Sequence, residues 1–209
     1  MNLPERLDRV RARIRRLGRD PAEVQIVAVT KGRSLKACRA ALTAGLTALG
    51  ENRVQEALPK LQAIPQAEWH LVGHLQVNKV RLAAGRFALI QSVDSIRLAD
   101  AIARRQPDQQ VLLEVNVARE PQKHGCAPEE AVELACAVAA RLDLRGFMAL
   151  GPLQGDAGGA FEELRELRER AEDRTGRSFP VLSMGMSDDF EAALAAGSTM
   201  LRLGRALFD

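Results

Sequence analysis

The sequence contains no tyrosine, and aromatic residues make up only 3% of its 209 positions. Proteins that bind RNA or single-stranded DNA commonly stack bases on aromatic side chains, so this scarcity argues against a nucleic-acid partner. The formal net charge of +3 is small and spread along the chain. That balance favours a small anionic ligand over a nucleic acid.

Cysteine and long apolar runs are scarce as well. The three cysteines are odd in number and lack a C-x-x-C spacing, which argues against a disulfide framework or a zinc site. No apolar stretch is long enough to span a membrane, and the arginine-rich N-terminus lacks the apolar core of a signal peptide. We therefore expect a cytoplasmic protein without a metal ion or a membrane partner.

The feature that repeats along the chain is a short apolar run, then a polar turn, then a segment with helical spacing. Strands are predicted over 24–30, 46–49, 69–72, 87–93, 111–117, 144–150, 181–184 and 199–203. Helices are predicted over 34–44, 53–63, 76–84, 95–105, 128–141, 159–175 and 188–196. Ser95, Pro128 and Ser187 are predicted helix starts, and Gly45, Gly176 and Gly197 are predicted stops.

This alternation implies a parallel sheet with right-handed crossovers, and eight strand candidates favour a closed (β/α)₈ barrel over an open sheet. The predicted fold is thus α/β, a TIM-type barrel forming a single domain over 1–209. Residues 3–17 have the spacing of an amphipathic helix, and we expect the segment 1–20 to pack on the barrel. The alternative is a basic helix lying on a membrane surface.

Lysine is rare among the 30 basic residues, occurring only at positions 31, 36, 60, 79 and 123. Lys31 stands at the end of a buried strand, where the functional groups of such barrels collect. In a chain that otherwise uses arginine, a lysine at this place indicates that an amine is needed. An amine can form a Schiff base, and a guanidinium cannot.

A second candidate site follows the seventh and eighth strands, which often hold phosphate in these barrels. Ser183, Met184, Gly185 and Ser187 form a loop whose small residues and hydroxyls suit a phosphate group, and Gly204 and Arg205 would complete the cup. The structural alternative is that Ser187 only begins the next helix.

Three further polar residues stand near predicted strand ends. Arg202 lies inside an apolar strand, so it must face a ligand or pair with a carboxylate such as Glu114. His70 is either a satisfied core histidine or a ligand contact. Asn52 either caps the next helix or reaches a ring substituent beside Lys31.

A Schiff-base lysine, a phosphate cup and a nearby arginine together suggest bound pyridoxal phosphate. Lys31 would hold its aldehyde and the cup its phosphate. Arg202 opposite the pyridine nitrogen would keep that nitrogen unprotonated and weaken the cofactor as an electron sink.

Five segments carry a resemblance to a known family. They are AVTK at 28–31, GENRVQE at 50–56, WHLVGHLQVNK at 69–79, LSMGMSDD at 182–189 and GSTMLRLG at 197–204. In order and spacing they resemble the pyridoxal phosphate homeostasis protein family. The resemblance implies a barrel related to the alanine racemase N-terminal domain, with the cofactor held as an internal aldimine on Lys31. It also implies a role in vitamin B6 balance without an established catalytic reaction.

The resemblance further implies phosphate contacts from Ser183, Ser187 and the backbone at Gly204 and Arg205, with Arg202 toward the pyridine nitrogen. The family often has threonine after Gly204, and this chain has Arg205. A side-chain hydroxyl is therefore lost there, and the arginine either pairs with the phosphate or points to solvent. Expected partners are pyridoxal phosphate and the apoenzymes that use it, with the chain acting as a monomer.

Two enzyme classes are alternatives to a cofactor-holding protein. A racemase of the alanine racemase type uses a lysine and a tyrosine on opposite faces of its substrate, and this chain has no tyrosine. A histidine or cysteine could substitute as the second base. A Schiff-base aldolase acting on a sugar phosphate would explain Lys31 and the cup, but it leaves Arg202 unexplained.

Lys123 lies on the loop after the fifth strand, on the same face as Lys31. One hypothesis is that it forms a second imine during loading or release of the cofactor. The simpler alternative is a solvated loop lysine.

Overall fold

The computed structural model describes residues 1–209, and its eight parallel strands close into a barrel in the order β1 to β8. The strands are β1 Gln25–Val29, β2 Ala48–Glu51, β3 Glu68–Leu71, β4 Leu89–Val93, β5 Gln110–Glu114, β6 Asp143–Met148, β7 Val181–Ser183 and β8 Met200–Leu203. Closure is made by β1 pairing with β8, from Gln25 with Met200 to Ala28 with Leu203. The predicted single-domain barrel is confirmed.

Nine α-helices surround the barrel. They are α1 Leu3–Arg16, α2 Leu35–Thr43, α3 Val54–Ala63, α4 Val80–Ala83, α5 Ile96–Ala103, α6 Ala131–Ala139, α7 Ala157–Thr175, α8 Phe190–Ala195 and α9 Arg205–Phe208. Single 3₁₀ turns precede β1, α4 and α6, at Pro21–Glu23, Val77–Lys79 and Pro128–Glu130. None of the helices is long and apolar enough to cross a membrane.

The helix α1 packs on the barrel, as predicted. It begins with a capping box between Asn2 and Glu5, and its apolar stripe of Leu7, Val10 and Ile14 is buried. The helix contacts α8 and α9, which flank the last strand. Its apolar face is therefore occupied by the protein itself, which corrects the alternative of a membrane-surface helix.

The main differences from the predicted elements concern β2 and α8. β2 was predicted over 46–49 but begins and ends two residues later, at Ala48 and Glu51, and the buried carboxylate of Glu51 is paired with Lys60 of α3. α8 begins after Asp189, so Ser187 is not its cap. Ser187 instead accepts a hydrogen bond from the amide of Ala206 in α9, a four-residue helix that was not predicted.

The barrel interior follows the two-residue period of its strands. One inner layer consists of Val27, Ala48, Leu89, Leu112, Met148 and Met200. Two residues further along β1, β5 and β8, the same inward face carries Val29, Glu114 and Arg202. One more step along β1 gives Lys31, so the alternation that fills the core also delivers the polar side chains to the mouth of the barrel.

Candidate functional site

A cleft of about 380 Å³ opens at the carboxyl ends of the strands. Of the ten predicted site residues, six line it: Lys31, Asn52, Ser187, Arg202, Gly204 and Arg205. The other four, His70, Ser183, Met184 and Gly185, are buried away from it. The cleft also contains His74, Glu114 and His124, which were not predicted as site residues.

Lys31 owes its position to a buried polar cluster directly behind it. The Thr30 hydroxyl donates to Glu51 Oε1 at 2.5 Å, and Lys60 Nζ donates to the Thr30 carbonyl and to Glu51 Oε1, both at 2.7 Å. These bonds fix the chain at the end of β1 to α3. Lys60 is committed to this ion pair, whereas Lys31, the next residue after Thr30, is exposed on the cleft.

Ser187 is the hydroxyl of the cleft that is able to donate. Its oxygen accepts from the amide of Ala206 at 3.0 Å, so its own proton is available to a ligand. Met186, the preceding residue, is held by its amide donating to Asp189 Oδ1 at 2.5 Å. The guanidinium of Arg205 pairs with Asp188 and is 68% exposed, so this side chain is turned toward solvent and an acid of the loop between β7 and α8.

Arg202 is only 4% exposed, yet it reaches the cleft. Its Nη1 donates to the carbonyl and the hydroxyl of Ser183, at 2.6 and 2.7 Å, and its Nη2 donates to the Ala149 carbonyl at 2.7 Å. These three acceptors, rather than the predicted carboxylate of Glu114, hold the guanidinium. Burial lowers the pKa of Arg202 to about 10, which leaves the side chain charged at neutral pH.

His70 and Ser183 belong to a hydrogen-bonded column inside the barrel. The Ser183 hydroxyl donates to Gln91 Oε1 at 2.7 Å, and Gln91 Nε2 lies 2.9 Å from His70 Nδ1. His70 Nε2 lies 2.9 Å from Glu68 Oε1 at the opposite end of the barrel. The Ser183 hydroxyl is thus directed at Gln91, and both nitrogens of His70 have partners within the barrel. That these two residues contact the cofactor stays a prediction.

Met184 and Gly185 both have a packing role in the structure, and their contact with the cofactor stays a prediction. The Met184 side chain is fully buried in the main core. Gly185 has φ +99°, and a Cβ built on it would lie 2.8 Å from Ala193 Cβ and 2.9 Å from Leu201 Cδ2. Glycine is thus required where this loop passes between α8 and β8.

The unpredicted residues form one wall of the cleft. The rings of His74 and His124 are stacked, with centroids 3.9 Å apart and 11° between their planes. His74 Nδ1 lies 3.4 Å from Asp94 Oδ2. Glu114 could have been found from the sequence, because it stands two residues after the inward-facing Leu112.

Lys123 does not line the cleft, and it is not a solvated lysine. Its Nζ donates to the Gly151 carbonyl at 2.6 Å and lies 3.2 Å from Glu120 Oε1, and its side chain is 11% exposed. The hypothesis of a second imine there stays a prediction, and it would require both contacts to be released.

The sequence and the fold match known proteins along nearly the whole chain. Residues 6–209 match the alanine racemase N-terminal domain family. The pyridoxal phosphate homeostasis protein of Escherichia coli K12 is 38% identical over 220 residues, covering 99% of this chain and 94% of that protein. That of Pseudomonas aeruginosa is 40% identical over 218 residues, with the same coverages. This chain belongs to the pyridoxal phosphate homeostasis protein family.

Solved structures agree with membership in the pyridoxal phosphate homeostasis protein family. PipY of Synechococcus elongatus, solved with pyridoxal phosphate bound, superposes with a TM-score of 0.87 at 32% identity, covering both chains completely. Alanine racemase from Corynebacterium glutamicum superposes with a TM-score of 0.79 at 17% identity and is covered to 60%. The second likeness shows the shared barrel fold alone.

Proposed function

We propose that this protein binds pyridoxal 5′-phosphate in the cleft at the mouth of its barrel and serves in the intracellular homeostasis of that cofactor. The observation that carries the proposal is the convergence of Lys31, Ser187 and Arg202, from the ends of β1, β7 and β8, on one cleft of about 380 Å³. The bound cofactor in PipY and the names of the curated relatives support it.

The residues of the cleft fit such a ligand chemically. Lys31 supplies the exposed amine that a reactive aldehyde needs. Ser187 has a hydroxyl proton to give to a phosphate oxygen, and we assign the backbone of Gly204 and Arg205 to the same group. Asn52 remains assigned to a ring substituent. When bound, the cofactor supplies an aldehyde that condenses reversibly with amines.

Arg202 favours holding over catalysis. It is a buried cation that three fixed acceptors keep in place, so it presents a permanent positive charge to the cleft. A ring nitrogen beside such a charge takes up a proton less readily, and an unprotonated ring withdraws electrons poorly. This supports a carrier of the cofactor over the alternative of an amino-acid racemase, as does the absence of tyrosine.

We further propose that the protein acts as a cytoplasmic monomer and passes its cofactor to apoenzymes. The covered apolar face of α1 supports the monomer, because the helix buries its stripe within its own chain. Light scattering of the loaded protein tests the monomer. Activation of a pyridoxal phosphate-dependent apoenzyme in the presence of the loaded protein tests the transfer.

The experiment that tests the binding proposal compares the wild type with Lys31→Ala after addition of pyridoxal phosphate. We expect a Schiff-base absorbance band in the wild type and no such band in the variant. Borohydride reduction followed by peptide mass analysis should place the label on Lys31. Lys36→Ala, which removes an exposed amine from α2, is the matched control and should keep the band.

A wild-type protein that shows no Schiff-base band after reconstitution would contradict the binding proposal. It would leave a phosphate-binding barrel, and the sugar-phosphate aldolase would then be the next hypothesis to test. Labelling that moves to Lys123 would contradict the assignment of Lys31 alone.

A further inference from the structure

Three titratable side chains that line the cleft, His74, Glu114 and His124, have no part in the proposed cofactor contacts, and Asp94 lies against His74. Glu114 is the last residue of β5, and the other three follow β3, β4 and β5. The possible ligand atoms of His74, Asp94 and His124 lie within 4.8 Å of one another. Glu114 lies beside Asp94, since the preceding residues Val93 and Leu113 are partners in the sheet.

Glu114 is the unusual member of this group. It is 4% exposed and faces the cleft, and its Oε2 is buried without any hydrogen-bond partner. A buried carboxyl group without a donor is unfavourable, and burial together with Asp94 raises the pKa of Glu114 to about 7. The carboxyl group of Glu114 thus lines the cleft, and no donor of the protein bonds to its Oε2.

The neighbouring cations do not fill this role. Arg202 directs its donors to Ser183 and Ala149. Burial and His124 lower the pKa of His74, which disfavours the charged imidazolium. Glu114, with Asp94 beside it, therefore makes this wall rich in acceptors, and the ligand that complements it carries positive charge and hydrogen-bond donors.

The relative orientation of the His74 and His124 rings distinguishes a metal ion from an ammonium group as the ligand. A metal ion bound by two histidines needs ring nitrogens whose lone pairs converge on a point about 2.0–2.1 Å from each. The rings of His74 and His124 are stacked with only 11° between their planes, so their lone pairs run side by side. A primary ammonium group, which needs only acceptors around it, suits the wall better than a metal ion does.

We propose that Glu114 and Asp94 form a subsite for the ammonium group of a primary amine. β5 stands opposite β1 in the eight-stranded barrel, so the subsite faces Lys31 across the cleft. The effect of this subsite on the cofactor rests on the proposed function. An amine held there gives one proton to Glu114 and becomes a nucleophile for the carbon bound to Lys31.

With the cofactor bound, the amine nitrogen would bond to that carbon as the bond from the carbon to Nζ of Lys31 breaks. Nζ would take up two protons, one from Glu114 and one from the attacking nitrogen, and Lys31 would be a free amine again. The wall would thus make release depend on an amine acceptor.

The test begins with the protein free of cofactor and uses n-butylamine as the probe, with n-butanol as the uncharged match. We expect saturable binding of the amine and none of the alcohol by calorimetry or ligand-observed NMR. Glu114→Gln and Asp94→Asn should each weaken amine binding at least about tenfold. Glu56→Gln, a change on the exposed face of α3, should leave it unchanged.

The second stage follows the loaded protein. Butylamine should speed the loss of the Schiff-base absorbance band in the wild type, and Glu114→Gln should slow that loss at least about tenfold. Equal amine binding by the wild type and both variants would overturn the subsite. So would tight zinc binding that requires both histidines and excludes the amine. Because the first stage needs no cofactor, its failure is distinct from a failure of the protein to bind pyridoxal phosphate.

Discussion

Glu114 and Arg202 are both almost completely buried at the mouth of the barrel, but they differ in their hydrogen-bond partners. Arg202 has three protein acceptors, whereas one oxygen of Glu114 has no donor. A buried carboxyl oxygen without a donor destabilises the folded state. The presence of Glu114 beside the fully hydrogen-bonded Arg202 therefore indicates that Glu114 has a role in binding and not in stability. At the scale of single residues, this contrast is the strongest functional signal in the molecule.

The raised pKa of Glu114 predicts a dependence of stability on pH. The folded state holds this proton up to about pH 7, against an ordinary value of 4.5, so it binds the proton more tightly than the unfolded chain. The free energy of unfolding contributed by this group is therefore greatest below pH 4.5 and falls by up to about 3 kcal/mol toward pH 7. Urea unfolding on both sides of this interval should show the decline in wild type and its loss in Glu114→Gln. Parallel pH profiles would disprove the assignment.

Substitution of Ser183, the last residue of β7, and of Ser187, in the loop after it, should have opposite outcomes. Ser183→Ala leaves Gln91 Oε1 without its donor, so we expect about 1–3 kcal/mol less stability in the cofactor-free protein. Ser187→Ala removes the acceptor of the Ala206 amide in α9 and the proposed phosphate donor. We expect at most about 1 kcal/mol loss of stability and about tenfold weaker binding of pyridoxal phosphate. Thermal unfolding and a binding titration of both variants check this, and a reversed pattern would restore Ser183 as the phosphate ligand.

At the scale of elements, the segment from β7 to α8 is shaped by packing. Gly185 lets the chain pass between α8 and β8, and Met184 anchors it in the core. Asp189 then holds the amide of Met186, which leaves Met186 and Ser187 at the cleft. Met184, Gly185 and Asp189 therefore position Met186 and Ser187 at the cleft.

This account predicts that Gly185→Ala is more damaging than a comparable change nearby. Gly197 has a similar φ of +91°, but its nearest neighbour to a built Cβ is 3.5 Å away. Both substitutions strain the backbone by about 1–2 kcal/mol, and only Gly185→Ala adds overpacking of about 1–3 kcal/mol. Chemical denaturation of both variants measures the difference, which should disappear if the loop relaxes freely.

At the scale of the whole molecule, the sequence was sufficient to predict the barrel and the lysine. Eight apolar runs separated by helical segments specify a parallel barrel, and a lysine after the first of them must lie at its mouth. The helix stops predicted at Gly45, Gly176 and Gly197 are confirmed, since each follows or ends a helix. These features depend on local pattern and on a topology that the pattern determines.

The parts that could not be predicted depend on partners distant in the sequence. Ser183 and Ser187 look alike in the chain, and only Gln91 of β4 and Ala206 of α9 distinguish a structural hydroxyl from an available one. His70 became a core residue because Gln91 and Glu68 occupy both of its nitrogens. The four residues of α9 were too few to give a periodic signal.

Closure of the barrel by β1 and β8 has a consequence for synthesis of the protein. Lys31 leaves the ribosome well before Ser187, Arg202 and Gly204 do. A growing chain therefore carries the reactive amine long before it has the groups that would hold a phosphate or face a ring nitrogen. The site can therefore bind a phosphate-bearing ligand only after β8 has paired with β1. Before that pairing, Lys31 is present without the groups proposed to hold the rest of the ligand.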